Sequence, residues 1–236
     1  MVPLDALLKI FSQMAAKAQP VLLLNTYRGV PVSNEAQVLS IHQGYVVFKV
    51  HPYQAACLNL EGLTFIQSKL LPEIYRAKTV AVDFSKNQVI LTEFSGAGNS
   101  IGKRAITRVQ PKEPVDAELY DGEHRVPARL SDISTAGVGI FTFATYIYGD
   151  LSFEKGAQVY IDFTLPTTQR VIRLQARVTS LVHQQGTFLH RLGLEITPNP
   201  SVDKLLKQYV DMRQAELLQE LHLYYESMQR LSPLKD

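Results

Sequence analysis

Short runs of alternating apolar and polar residues, broken by turn signals, fill two long stretches of this chain and constrain its fold more than any other feature. From Val21 to Phe94 the runs are VLLLNTY, AQVLSIH, YVVFKV, LTFIQS, EIYRAKTVAVDF and QVILTEF, separated by signals such as His42-Gln43-Gly44 and Ser85-Lys86-Asn87. From Glu113 onward they are EPVDAELY, EHRVPARLSDIS, GVGIFTF, AQVYIDFTL, QRVIRLQARVTSLVH and GTFLHRLGLEI. A period of two with tight connections is the pattern of antiparallel sheet with one buried face. Sets of such strands remove their open edges by closing on themselves. The expected fold class is therefore mainly β, with two small antiparallel β-barrels, a sandwich being the alternative for the first. HPYQAACLNLEG, from His51, is the one interior piece that reads as a helical turn, and Asp121-Gly122 predicts a short hairpin.

Between the two sets lies SGAGNSIGK, Ser95 to Lys103, with three glycines, two serines and no apolar periodicity. It reads as a flexible linker. The expected domains are residues 1–94, a linker at 95–103, and residues 104–236. Leu4, Leu7, Leu8, Phe11, Met14, Ala15 and Ala18 recur at helical spacing before Pro20, which predicts an opening amphipathic helix. At the other end Ser201 is placed as a helix cap, and the chain reads helical until Ser232-Pro233. Leu217, Leu221, Tyr224, Met228 and Leu231 alternate spacings of four and three over about two heptads. A helix lying against the barrels and a helix that forms a homodimer explain that pattern equally well.

Composition narrows the function. With 24 basic and 22 acidic residues the net charge is +2, without the basic excess that binding to long nucleic acid calls for. No apolar run approaches the ~20 residues of a membrane span, so membrane insertion is not expected. Asp5 stands where a secretory signal would carry basic residues, and the protein is expected in the cytoplasm. Cys57, the only cysteine, has no partner for a disulfide and no metal-ligand set near it, and reads as a buried, inert thiol.

Enzyme constellations are thin. The six histidines are scattered with no HExxH, and Ser134 lacks the GxSxG elbow because Asp132 stands two residues before it. Neither GxGxxG nor GxxxxGK[ST] occurs. No catalytic residue, metal ligand or cofactor is expected. What remains is a pair of short motifs. Arg104 and Arg108 form RxxxR directly after the linker, with Lys103 before them; taken alone, two arginines at this spacing read as a solvated face. Asp132, Ser134 and Gly137 form DxSxxG at a strand end; taken alone, this reads as a capped turn. In this order, separated by 23 residues, the two are another matter. At ordinary residue usage, five such matches with a variable spacer arise by chance in under ~1% of chains this long.

The stretch from residue 104 to about 197, with the following helix, resembles the PilZ domain, the bacterial receptor module for cyclic di-GMP. Arg104, Arg108, Asp132, Ser134 and Gly137 match the family signature, and His190 to Ile196, HRLGLEI, resembles its closing strand. A second strand-rich domain ahead of it is similar in layout to flagellar-brake (YcgR-like) receptors. The resemblance implies a binding protein that holds cyclic di-GMP and relays the signal to a protein partner, such as the flagellar motor or polysaccharide machinery. The ligand-binding residues it implies are Lys103, Arg104, Arg108, Asp132, Ser134 and Gly137. In the family the residue before RxxxR influences whether one ligand or a stacked pair is held; the basic Lys103 points to an intercalated dimer.

The chemistry of the side chains agrees with that implication. Arginine can bond a phosphate or the O6/N7 edge of guanine through two donors and can stack on the base. A carboxylate such as that of Asp132 accepts from guanine N1–H and N2–H, and the Ser134 hydroxyl donates or accepts. Two rivals remain at this level: an adaptor that keeps the barrel and works by protein contacts alone, and an enzyme using the first barrel for a flavin or small ligand. No residue set in 21–94 supports the second.

Overall fold

A computed structural model describes residues 3–97, 106–143, 153–168, 170–197 and 199–231. The chain forms two compact units: Met1–Ala105 with Glu216–Asp236, and Ile106–Ala215. Both are built on closed six-stranded antiparallel barrels, as the strand-and-turn pattern predicts.

The first barrel comprises β1 (Pro20–Tyr27), β2 (Val30–His42), β3 (Tyr45–Lys49), β4 (Leu63–Gln67), β5 (Tyr75–Asp83) and β6 (Gln88–Gly96), in the order β1-β2-β3-β6-β5-β4. Helix α1 (Leu4–Ala16) buries Leu7, Phe11 and Met14, with the Phe11 ring against those of Phe48 and Phe94 at 5.7 and 5.4 Å. Burial of three such side chains contributes roughly 1.5–3 kcal/mol each, which fixes the helix to this barrel. Strand β2 begins six residues before the expected AQVLSIH. Tyr27 pairs with Val30, and Arg28 and Gly29 between them both take positive φ, 47° and 92°, the two-residue turn that matches strand twist.

The expected helical turn after His51 is a ten-residue helix, α2 (Pro52–Glu61). His51 Nδ1 accepts from the Tyr53 N–H at 3.2 Å to cap its start, and Gly62 ends it at φ 70°. Five consecutive residues, Gln54 to Leu58, are buried, so the helix lacks the one-sided periodicity by which a surface helix is read. Gln54 Nε2 and Thr64 Oγ1 both donate to Asn25 Oδ1 at 2.6 Å, and Asn25 Nδ2 donates to the Leu63 carbonyl at 2.6 Å. This satisfied polar cluster ties α2 to β1 and β4. Strand β6 runs to Gly96, where Gly96 pairs with Tyr75, so two residues of the expected linker belong to the barrel.

The last helix, α3 (Pro200–Leu231), gives its residues from Glu216 onward to this first unit, whereas the sequence reading assigned the whole helix to the second domain. Leu217, Leu221 and Tyr225 are buried there; Tyr225 donates to Asn87 Oδ1 at 2.7 Å, and Asn59 Nδ2 donates to the Tyr224 hydroxyl at 2.6 Å. Of the row of apolar residues that suggests self-association, Leu217 and Leu221 are thus buried within the chain, whereas Leu231 is 75% exposed.

The second barrel comprises β7 (Asp116–Tyr120), β8 (Arg125–Ile133), β9 (Gly137–Phe143), β10 (Gln158–Thr164), β11 (Val171–His183) and β12 (Leu189–Ile196), in the order β10-β11-β12-β9-β8-β7. Its interior holds Leu119, Val126, Ile133, Val138, Ile140, Ile161, Leu174, Leu192 and Leu194. The short hairpin expected at Asp121-Gly122 joins β7 to β8. Tyr120 pairs with Arg125 across a four-residue loop, because Asp121 Oδ1 accepts from the N–H groups of Glu123 and His124 at 3.0 and 2.8 Å and so closes an Asx turn. The first part of α3 buries Leu206, Tyr209, Val210 and Arg213 in this unit, and Arg213 Nε donates to the Gln110 carbonyl at 3.1 Å. No helix among the described residues is long and apolar enough to cross a membrane, and no group of three metal-ligating side chains occurs among them.

Candidate ligand-binding site

The connection from β8 to β9 is three residues long and is held by one serine. The Ser134 N–H and hydroxyl both donate to the Gly137 carbonyl at 2.9 Å, while Ser134 Oγ accepts from the Gly137 N–H at 3.0 Å. The side chain is buried and its hydrogen-bonding capacity goes into the turn. Gly137 is required by proximity: a Cβ there would stand 2.5 Å from the Leu194 carbonyl oxygen of the neighbouring strand, a backbone atom with no room to yield. Two members of DxSxxG therefore shape the loop.

Asp132 has a different position. A bulge at Ser131 interrupts the β8–β9 register, after which Asp132 faces Gly139, which in turn faces Gly193 on β12. The carboxylate therefore lies over a cross-strand row of glycines. A Cβ at Gly139 would be 2.5 Å from Asp132 Oδ2 and 3.0 Å from Arg191 Nη2, so the absence of a side chain at 139 leaves the space the carboxylate and guanidinium occupy.

Arg108 reaches the same carboxylate from the chain that precedes the barrel. Val109 is buried and exchanges two hydrogen bonds with Ile133, each 2.9 Å long, in an antiparallel bridge that sets the residue before it opposite Ser134, within side-chain reach of Asp132. Arg108 Nη1 lies 3.4 Å from Asp132 Oδ1. The structure thus brings together Arg108, Asp132, Ser134 and Gly137, from the two ends of the motif pair. Lys103 and Arg104 lie outside the described residues.

One member of the cluster was not singled out in the sequence. Arg191, on β12, donates through Nη2 to Asp132 Oδ2, while its Nε is 3.4 Å from Ser131 Oγ, which donates to Asp132 Oδ2 at 3.1 Å. Its signal was present in HRLGLEI: within a closing strand it alternates with the buried Leu192, and it stands two residues from a glycine. The Asp132 side chain is only 10% exposed, against 32% for Arg108 and 34% for Arg191. Two guanidinium groups on one carboxylate leave a net positive site with free donors facing outward. Next to it His190 is buried, and burial first and His183 second hold its imidazole below the usual histidine range, so it adds no charge near neutral pH. A hollow of about 410 Å³, walled by Thr135, Ala136, Gln158, Arg177, Glu195 and Ile196, borders the turn. Such an arrangement suits an anion with a hydrogen-bonding edge: arginines for phosphate or base, a carboxylate for N–H donors.

Residues 103–212 match the family model described as the PilZ domain. No curated protein matches the chain. Among solved structures the chain is similar to the Bacillus subtilis inhibitor of motility MotI/DgrA, at 16% identity and TM-score 0.44, over 84% of this chain and 96% of that one. It is similar to Escherichia coli YcgR in complex with c-di-GMP, at 14% identity and TM-score 0.43, over 92% of each chain. It is also similar to the K. pneumonia MrkH–c-di-GMP complex, at 10% identity and TM-score 0.47, over 92% of this chain and 96% of that one.

Proposed function

The chain carries a PilZ domain at residues 103–212, and from that premise we propose that it is a receptor for cyclic di-GMP that relays the signal without catalysing a reaction. The observation that carries this reading is the meeting of Arg108 and Asp132 at 3.4 Å on the outer wall of the barrel, beside the turn that Ser134 closes. Arg108, with Arg104, grips phosphate or the guanine edge, and Asp132 accepts from guanine N1–H and N2–H. Ser134 and Gly137 contribute by holding the loop on which Asp132 stands. Lys103 adds a cation that favours an intercalated pair of ligands, which carries four phosphates.

Ligand contacts at residues 103–108 engage the chain where it enters the second unit. We assign the output to a change in the arrangement of the two barrels, since a ligand shifts such an equilibrium only through contacts made in one arrangement and not in another. The signal then passes to a protein partner of the motility or polysaccharide-export kind. Calorimetric titration tests the receptor reading: cyclic di-GMP binds at micromolar concentration or below, and GTP and GMP bind far more weakly. Equal affinity for GTP overturns it in favour of a general anion site. Scattering curves with and without cyclic di-GMP test the domain rearrangement, and identical curves at saturation overturn that part alone.

A further inference from the structure

We propose that Arg191 is a positioning residue for the nucleotide site, a standing counter-charge to Asp132 that allows Arg108 to leave the carboxylate for the ligand. The proposal rests on the cyclic di-GMP reading above. In the free protein the Asp132 carboxylate has two cationic partners of unequal kind, besides the Ser131 hydroxyl. Arg191 extends from a strand paired on both sides, to β9 and β11, touches Oδ2 directly and is braced through Ser131. Arg108 reaches Oδ1 at 3.4 Å, the long end of an ion pair, from the chain that leads into the barrel.

A carboxylate 10% exposed cannot lose all its partners without a large penalty, because an unpaired charge is then left out of water. If Arg108 were the sole cationic partner, its move to a phosphate would leave Asp132 with the Ser131 hydroxyl and no counter-charge. With Arg191 in place, Asp132 keeps one guanidinium on Oδ2, and Oδ1 becomes available to the base. Gly139 makes this arrangement possible, since any Cβ there would stand in the carboxylate's place. Removal of Arg191 therefore weakens ligand binding although every residue of the two motifs remains: Arg108 becomes locked onto Asp132.

The test is a double-mutant cycle read by calorimetry with cyclic di-GMP and by unfolding of the free protein. Arg191→Ala is expected to raise Kd at least tenfold, and Arg191→Lys to recover most of that loss. In the Asp132→Asn background, where no charge needs holding, Arg191→Ala is expected to change Kd less than twofold. A Kd within twofold of wild type for Arg191→Ala overturns the proposal; so does an equal loss in both backgrounds, which would mark Arg191 as a direct ligand contact or a purely structural residue. In the unfolding arm the coupling of Asp132 to Arg191 exceeds that of Asp132 to Arg108, and the reverse order overturns the proposal. A wild-type protein that binds no cyclic di-GMP defeats the receptor reading, and the unfolding arm then decides on Arg191 by itself.

Discussion

Asp132 and Gly139 face each other across β8 and β9 so closely that a single methyl group at 139 would stand 2.5 Å from the Asp132 carboxylate. Gly139→Ala is therefore expected to push the carboxylate off its place between the two arginines. Affinity for cyclic di-GMP should fall about tenfold, or ~1.4 kcal/mol, in a protein that keeps its far-ultraviolet circular dichroism. Unchanged affinity would place the ligand elsewhere on the barrel.

Gly137→Ala and Ser134→Ala act on the loop. At Gly137 the added methyl meets a backbone oxygen 2.5 Å away, and the strands must part, at a cost of about 1–3 kcal/mol of stability for overpacking. Ser134→Ala removes the hydroxyl that bonds Gly137 O and N and leaves those groups partly unsatisfied, about 1–2 kcal/mol by urea unfolding. Both variants should lose stability even without ligand, which separates them from Arg108→Ala.

Arg108→Ala should behave in the opposite way. Asp132 keeps Arg191, so the melting temperature stays near that of wild type, while ligand binding loses about 2 kcal/mol, the scale of a charge-assisted pair. Calorimetry and thermal melts on one preparation check both halves.

Cys57 is fully buried on α2, and burial first, with Glu61 second, pushes its thiol from 9.0 up to about 12. The thiolate is the nucleophile, so the folded protein should resist alkylation at pH 8 and react once denatured. Because the folded value is raised, the neutral thiol's contribution to stability is complete below pH 9 and is lost between pH 9 and about 12, where only the unfolded chain ionises. Cys57→Ala should flatten the fall in melting temperature over that range.

Leu221 is buried against the first unit. Leu221→Ala should cost about 2–5 kcal/mol of stability, as core Leu→Ala changes do, with no change in molecular mass by light scattering. A drop in mass without loss of stability would return the helix to the role of a dimer seam.

Alternation alone located all twelve described strands, because residues such as Val126, Val138, Ile140 and Leu174 recur with a period of two on a closed sheet. It missed the start of β2, where the Arg28-Gly29 turn carries no strong signal, and it read α2 as a turn because Ala55, Ala56, Cys57 and Leu58 are buried in succession. In the site, Arg108 and Asp132 were legible as motif positions. The distinct duties of Ser134 and Asp132 were not, since a hydroxyl that holds a turn and one that meets a ligand look alike in sequence. Arg191 was hidden because its partner lies 59 positions away and is reached only through the pairing of β12 with β9.

The reciprocal bonds between Val109 and Ile133 make the location of Arg108 a matter of counting. With Val109 directed inward, the residue before it falls opposite Ser134 on the other face, from where an arginine side chain reaches back to Asp132, whatever precedes it in the chain. Insertions ahead of Arg108 would leave that side chain where it is and displace only those upstream. One residue added between Arg108 and Val109 would reverse the phase, turn the arginine away from Asp132 and disconnect the two halves of the motif without deleting a single atom of either.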